Sequence, residues 1–501
     1  MSPSCALRRL SWVLPLALFA GLATAANGAR DQLDEAQRQL RSEKESERVA
    51  AIDTLAQIGS GPAWELVLEA LDDPQPRVAD EAQIQLGRAG LEFDTLLFGK
   101  QGLGKKRGMR ALRVAEALGR RQTAIDDDLW TRALRHKDAA LRKSLLWSLE
   151  RMGSRASGDH GDLVERLQKL IGSDKDKNVR AHAWLALAAL SPETAAASLQ
   201  AGAQSKSTAM RAACCERMEL APAAMQVALL SDLIQDPVRV VRLRALEACA
   251  RRGDREGARK LAQALGGESN TRLQWRIVEL LRGLSQKKTG RNSRAWQEWA
   301  RALAEDWQPA EIAVEPESDL GERTVAFVGL ALLSERVSFL VDLSGSMWQK
   351  RADGRTRKQA VDQELRRALE GLSKEVRFNL IPFAARPDSW QESLTAASEK
   401  NISRALGFFE KSHSKGTGNY WDAMLLALED PDLDTIMILG DGAPSGGVRW
   451  NLGLMGPLFA HANRFRGVFV DALLIETRGR LLGYWKDLTR ATGGRWLVVK
   501  I

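Results

Sequence analysis

From about residue 31 to residue 302 the apolar positions recur every three or four residues, the period of helices with one buried face. Ala181, Trp184, Leu185 and Ala188 fall at i, i+3, i+4 and i+7, and Ile52, Leu55, Ala56 and Gly59 repeat the spacing, with Gly59 placed as a helix stop. The helices recur in pairs. Asp73-Pro74-Gln75-Pro76-Arg77-Val78 is echoed by Asp236-Pro237-Val238-Arg239-Val240-Val241. Shorter echoes are Ala140-Leu141-Arg142, Asn178-Val179-Arg180 and Ala209-Met210-Arg211. Aligned on the residue after the apolar position, the units meet at Ala50, Ala79, Arg110, Arg142, Arg180, Arg211, Arg242 and Gln274, with a period near 31 residues. One helix pair cannot bury its apolar stripe, whereas a stack of pairs can, so the pattern predicts an all-α helical-repeat solenoid.

In spacing, this stretch resembles HEAT repeats of short period, and the solenoid is expected over residues 26–302. The longer step between Arg142 and Arg180 holds a run from Gly153 to Gly161 that predicts an inserted surface loop. Trp296 and Trp299 share one helix face and predict a capping helix. Residues 303–322 are acidic, hold Pro309 and Pro316, and predict a stiffened linker.

The periodicity then changes. Apolar runs at 337–341, 376–383, 435–439, 468–475 and 496–499 predict strands, and the stretches 356–372, 402–411, 421–428 and 481–491 predict helices between them. Strands alternating with helices predict an α/β doubly wound, Rossmann-like sheet over residues 323–501, mostly parallel and covered on both faces. Such sheets bind ligands at the carboxyl ends of their strands.

The strand at 337–341 runs into Asp342-Leu343-Ser344-Gly345-Ser346. Asp-x-Ser-x-Ser delivers one carboxylate and two hydroxyls into a single turn, hard oxygen ligands suited to Mg²⁺ or Mn²⁺. Two of the three are neutral, so a bound dication keeps positive charge and seeks an anion. Here the sequence resembles the von Willebrand factor A (vWA) family, whose metal-ion-dependent adhesion site (MIDAS) begins with this motif; the resemblance covers about the last third of the chain. It implies two further ligands, a Thr on a second loop and an Asp after a later strand. Asp441, in Gly440-Asp441-Gly442, matches the Asp. The Thr departs from the pattern, because Thr417 lies five residues before Asp422 where the family places four. Either the loop holds one extra residue and Thr417 reaches the metal, or Gly418 occupies the position of the Thr. The implied set is Asp342, Ser344, Ser346, Thr417 and Asp441, with a partner's Asp or Glu in the open position and Trp348, Trp390, Tyr420 and Trp421 on the rim.

Composition changes this picture little. The chain has 501 residues and a net charge of +9, with its acids interleaved among its bases, which reads as solvated helix faces rather than a nucleic-acid surface. Arg8-Arg9, the apolar stretch 12–22 and Ala23-Thr24-Ala25 predict a signal peptide over residues 1–25, too short for a stable membrane span. The expected location is a bacterial periplasm or the extracellular space, by the general or the twin-arginine export route. Cys5 leaves with that segment. Cys214, Cys215 and Cys249 remain, either as buried apolar residues or with one of the adjacent pair bonded to Cys249.

Catalytic patterns are few. The run from Gly99 to Lys106 nearly matches a phosphate loop but ends in Lys where Ser or Thr would hold Mg²⁺. There is no G-x-S-x-G, H-E-x-x-H or paired C-x-x-C, and the five His residues show no ligand spacing; His413 alone falls near the Thr417 loop. The expectation is an exported, non-enzymatic protein-interaction scaffold that binds an acidic partner through the divalent metal, with the solenoid groove open to a second partner. The alternatives are a structural scaffold whose metal site does not work, and an accessory subunit of a metal-dependent enzyme complex.

Overall fold

The computed structural model describes residues 28, 30–104, 108–153, 160–309, 326–327, 330–350, 354–412 and 416–499. The expected signal segment, Lys105, Lys106, His413, most of the loop after Gly153 and residues 310–322 of the linker lie outside the described residues. The chain forms two compact units, Met1–Ala117 and Leu118–Ile501. Among the described residues no helix is long and apolar enough to cross a membrane.

The first unit holds the helices Glu45–Ile58, Gly61–Ala70, Pro76–Leu86 and Asp94–Phe98. The residues after Phe98 fold back on that helix, with the Leu103 amide on the Leu97 carbonyl at 2.9 Å and the Gly104 amide on Gly99 at 2.9 Å. An ion pair of Arg113 with Asp80, 2.6 Å long and almost fully buried, is completed by Gln83 at 3.0 Å. A buried pair survives desolvation only when such extra hydrogen bonds satisfy it.

In the second unit the repeats run from Asp127–Ala133 to Ser293–Arg301. Their period has a chemical cause. Arg142 donates to the His136 carbonyl and to Asp174, Arg211 to the Ser205 carbonyl and to Asp236, and Arg242 to the Asp236 carbonyl and to Glu268. Each arginine thus reaches six residues back, to the turn before its own helix, and forward to an acid of the next repeat. That acid also accepts the amide two residues on, as Asp236 does from Val238 at 2.8 Å. Arg180 and Gln274 keep the backward half. In the first unit the equivalent is Arg48, which holds the Ser42 carbonyl and Asp73, so Ala50 is two residues out of register. Arg211→Ala is expected to lower the unfolding free energy by about 2 kcal/mol, since Asp236 would be left buried without its partner; denaturant unfolding beside Gln274→Ala, with the smaller loss, checks this.

The array ends in the expected cap. Trp296 is buried and donates to the Gly290 carbonyl at 2.8 Å. Trp299 lies edge-on to Trp296 and to Trp307, so the start of the expected linker belongs to the cap. Cys214, Cys215 and Cys249 are buried and free, so the disulfide alternative is not formed. Burial pushes the Cys214 and Cys249 thiols up to about 12, which keeps them unreactive.

The α/β domain contains a short hairpin, β1 (Ala326–Phe327) and β2 (Leu330–Ala331), and six further strands: β3 (Arg336–Asp342), β4 (Arg377–Phe383), β5 (Thr395–Ala396), β6 (Thr435–Gly440), β7 (Phe469–Ile475) and β8 (Trp496–Val499). The sheet order is β5-β4-β3-β6-β7-β8, parallel throughout except for the edge strand β5. β3 and β6 are central and buried along their length, which is why they read as continuous apolar runs. Val337, Phe339 and Val341 of β3 pack with Val361, Leu365 and Leu369 of the helix Arg357–Glu370 and with Ile402, Leu406 and Phe409 of the helix Glu399–Lys411. The helix Leu452–Asn463 has no counterpart among the elements expected from the sequence, and its Gly453, Gly456 and Pro457 are poor helix formers. Packing outweighs propensity there, and Leu454, Met455, Leu458 and Phe459 are buried.

The repeats hold this domain by the amino ends of its strands. Arg239 donates to the carbonyls of Gly467 and Arg466 just before β7, both at 2.8 Å. Arg272 donates to Gly493 before β8 at 2.8 Å and lies 3.9 Å over the Phe469 ring, and Phe469 packs with Leu243 and Leu273. Asn270 bonds Asp434 before β6, and Thr271 bonds Glu335 before β3. Arg464 reaches back to Glu150 at 2.6 and 2.8 Å and to Glu216 at 2.9 Å. Beside it His461 stacks on Trp147 and, with Phe465, packs against His182. The repeat face carrying Trp147, His182, Arg239 and Arg272 is occupied by the chain's own α/β domain.

Candidate metal centre

Asp342 ends β3 and Asp441 follows β6, its neighbour in the sheet, so both carboxylates stand at the carboxyl edge, opposite the edge the repeats hold. Asp342 is fully buried. Its Oδ1 accepts the Ser344 amide at 2.7 Å, and its Oδ2 accepts the Tyr420 hydroxyl at 2.7 Å. The Tyr420 hydroxyl in turn accepts the Gly442 amide at 2.9 Å, which ties the loop after β6 to the loop after β3. Gly440 makes this link sterically feasible: a Cβ there would lie 2.4 Å from the Tyr420 hydroxyl and 2.7 Å from the Asp342 Cβ. The Ser344 and Ser346 hydroxyls are 3.2 Å apart.

The loop with Thr417 is stitched to both others. The Gly345 amide donates to the Gly416 carbonyl at 2.9 Å, the Gly418 amide to the Ser445 hydroxyl at 2.8 Å, and the Ser445 amide to the Gly418 carbonyl at 3.1 Å. Thr417 is exposed between these anchors. Its side chain lies against Gly446, where a Cβ would come within 2.0 Å of the Thr417 Oγ1. Asn419 caps the helix Tyr420–Ala427, accepting the Asp422 amide at 3.1 Å and donating to its carboxylate at 2.7 Å.

Burial pushes the Asp342 carboxyl up to about 6, against the lowering effect of the Ser344 and Tyr420 hydrogen bonds, and the Asp441 charge adds to the rise. Among the described residues neither Asp342 nor Asp441 has an Arg or Lys partner. Nor does any group of three His, Cys, Asp or Glu among them form a metal cluster, so a metal here would rely on hydroxyls. Two carboxylates without a counter-cation, beside hydroxyls held in a fixed turn, fit a hard dication.

Of the expected rim residues, Tyr420 and Trp421 are buried and Trp348 and Trp390 are half-buried. Tyr420 is buried as the Asp342 partner, a role that nothing local in the sequence signals. Trp390 stacks on Phe378 with ring centroids 5.3 Å apart, Trp348 donates to the Leu343 carbonyl at 3.0 Å, and Trp421 is buried beside Arg449.

A family model described as HEAT repeats matches residues 127–219. Among curated proteins, the chain is similar to mouse inter alpha-trypsin inhibitor heavy chain 4, 32% identical over 130 residues, which is 24% of this chain and 13% of that protein. It is also 32% identical over 131 residues to the human heavy chain H4, again 24% of this chain and 13% of that protein. The match thus spans a small part of those relatives. Among solved structures, a von Willebrand factor type A protein from Catenulispora acidiphila is 16% identical and covers 34% of this chain and 40% of its own, with a TM-score of 0.29. A region matching HEAT repeats is thus joined to a doubly wound α/β domain that resembles the von Willebrand A type in its Asp-x-Ser-x-Ser turn.

Proposed function

We propose that this is an exported, non-enzymatic interaction scaffold whose vWA domain binds an acidic protein partner through a divalent metal. The observation that carries the reading is the pair Asp342 and Asp441, set on neighbouring central strands beside two close hydroxyls, with no Arg or Lys partner among the described residues. Asp342, Ser344, Ser346, Thr417 and Asp441 would hold Mg²⁺ or Mn²⁺. The ion, when bound, supplies a positive centre that a partner's Asp or Glu can occupy. The Ser344 amide and the Tyr420 hydroxyl fix the Asp342 carboxylate, and the Gly345, Gly418 and Gly442 amides hold the three loops in register. Preformed loops lower the ordering cost of binding.

Calorimetric titration of Mg²⁺ and Mn²⁺ into the protein and into the Asp342→Ala/Ser344→Ala variant tests the reading. Binding is expected for the first and not for the second. Flat titrations for both would overturn it and favour a scaffold without a working metal site. Tyr420→Phe is expected to weaken Mg²⁺ binding about tenfold, because the phenol orients a ligand rather than serving as one. Tyr420→Leu should weaken it at least as much, and a Phe variant with unchanged affinity would remove Tyr420 from that role.

A further inference from the structure

The cations of the vWA domain are not distributed like those elsewhere in it. Most of its arginines are answered: Arg357 by Glu476, Arg366 by Glu410, Arg490 by Asp487 and Arg495 by Asp471. At the carboxyl edge four exposed cations have no acid partner among the described residues: Lys350, Arg386, Arg478 and Arg480. Against them the described loops of that edge expose two acids, Asp388 and, nearer to β5, Glu392; Asp441 belongs to the metal site and Glu476 is taken by Arg357.

Their placement follows from the strand order. Lys350 lies in the loop after β3, Arg386 in the loop after β4, and Arg478 and Arg480 follow β7. The order β4-β3-β6-β7 therefore sets the metal loops in the middle, with cations on both sides. Strands lie about 4.8 Å apart, so the span from β4 to β7 is roughly 14 Å, which an extended peptide covers in about four residues.

We propose that the partner of this site is a short run of several acidic residues rather than a single Asp or Glu. One carboxylate goes to the metal, and its neighbours along the run meet Arg386 on one side and Arg478 and Arg480 on the other. The run rests on the metal reading above, which supplies its anchor. Arginine suits the outer positions, since its planar fork takes a carboxylate at two points.

The test uses fluorescence anisotropy on the full chain with two labelled peptides of about ten residues. One is all Glu, and the other is Gly and Ser with a single central Glu; both are measured with Mg²⁺ and with a chelator. The Glu run is expected to bind about tenfold tighter than the single Glu in Mg²⁺, with the advantage shrinking as salt rises. Arg386→Ala/Arg478→Ala/Arg480→Ala should bring the Glu run down to the single-Glu level while calorimetric Mg²⁺ binding stays the same. Equal affinity for the two peptides, or a preference that survives the triple substitution, overturns the proposal and leaves the metal reading standing. Absent Mg²⁺ binding, or a Glu run that binds equally well with chelator, removes the metal anchor, and the proposal falls with it.

Discussion

Arg464→Ala will lower the unfolding free energy by about 3 kcal/mol, the lower end of the cost of removing one member of a buried charge group, because the three side chains keep 12–19% of their surface exposed. Arg464 follows the helix Leu452–Asn463 and satisfies Glu150 through both terminal nitrogens and Glu216 through Nε. Burial works against its charge, but Glu216 and Glu150 outweigh that and hold the guanidinium firmly protonated. Without it two carboxylates stay in the seam between the repeats and the α/β domain. Glu216 is then left with Arg244, 3.5 Å away, and Glu150 with Arg217, 3.9 Å away. Equilibrium unfolding in denaturant gives the loss. Adding Glu150→Gln and Glu216→Gln to the alanine variant should recover part of it, because the uncompensated charges are then gone. Arg464→Lys should fall between, since an ammonium cannot engage both acids in the same geometry. A loss below about 1 kcal/mol would mean that water enters the seam and screens it.

The same seam should make the protein acid-sensitive. Burial, with the nearby charges of Arg464 and Lys143, lowers the His461 imidazole to about 3, and burial lowers His182 in the same direction. The groups that face His461 are the Trp147 ring, His182, Lys143 and Arg464, whose own charge is balanced by Glu150 and Glu216. The folded pKa lies below the unfolded one, so the folded state keeps the ring neutral while the unfolded chain takes up a proton. Stability is therefore complete above about pH 6.5 and declines from there toward pH 3. At pH 5 the loss from His461 alone is about 2 kcal/mol. Glu247 adds a lower window. Burial raises its pKa, but Arg244 and Arg276 outweigh burial and hold it down to about 2. Its contribution is present above the ordinary carboxyl range and is lost as pH falls toward 2. Denaturant midpoints at pH 7 and pH 5 for the protein and for His461→Phe, which retains a ring against Trp147, test this. The variant should lose about 2 kcal/mol less over that interval, and equal losses would sink the argument.

What the sequence made legible was local. Asp-x-Ser-x-Ser places three candidate ligands in one turn, and the strands before it and before Asp441 are apolar on both faces because the sheet is covered on both. The repeat period was legible as spacing, while its cause, an arginine shared between two turns, needs a contact across repeats. The roles of Tyr420, His461 and Arg464 could not be read in this way. Tyr420 reaches Asp342 across 78 positions and Arg464 reaches Glu150 across 314. No window of sequence contains either pair. The helix that leads into Arg464 was hidden by its own Gly and Pro residues, whose propensity argues for a loop until the packing is known.

The attachment of the α/β domain by its amino edge has a mechanical consequence. A partner that pulls on the carboxyl edge, with the repeats anchored elsewhere, loads β3 and β6 along their own length. Both strands are central and hydrogen-bonded on each side. Tension in that direction meets the ladder bonds in parallel, all sharing the strain, rather than opening them one at a time from an end.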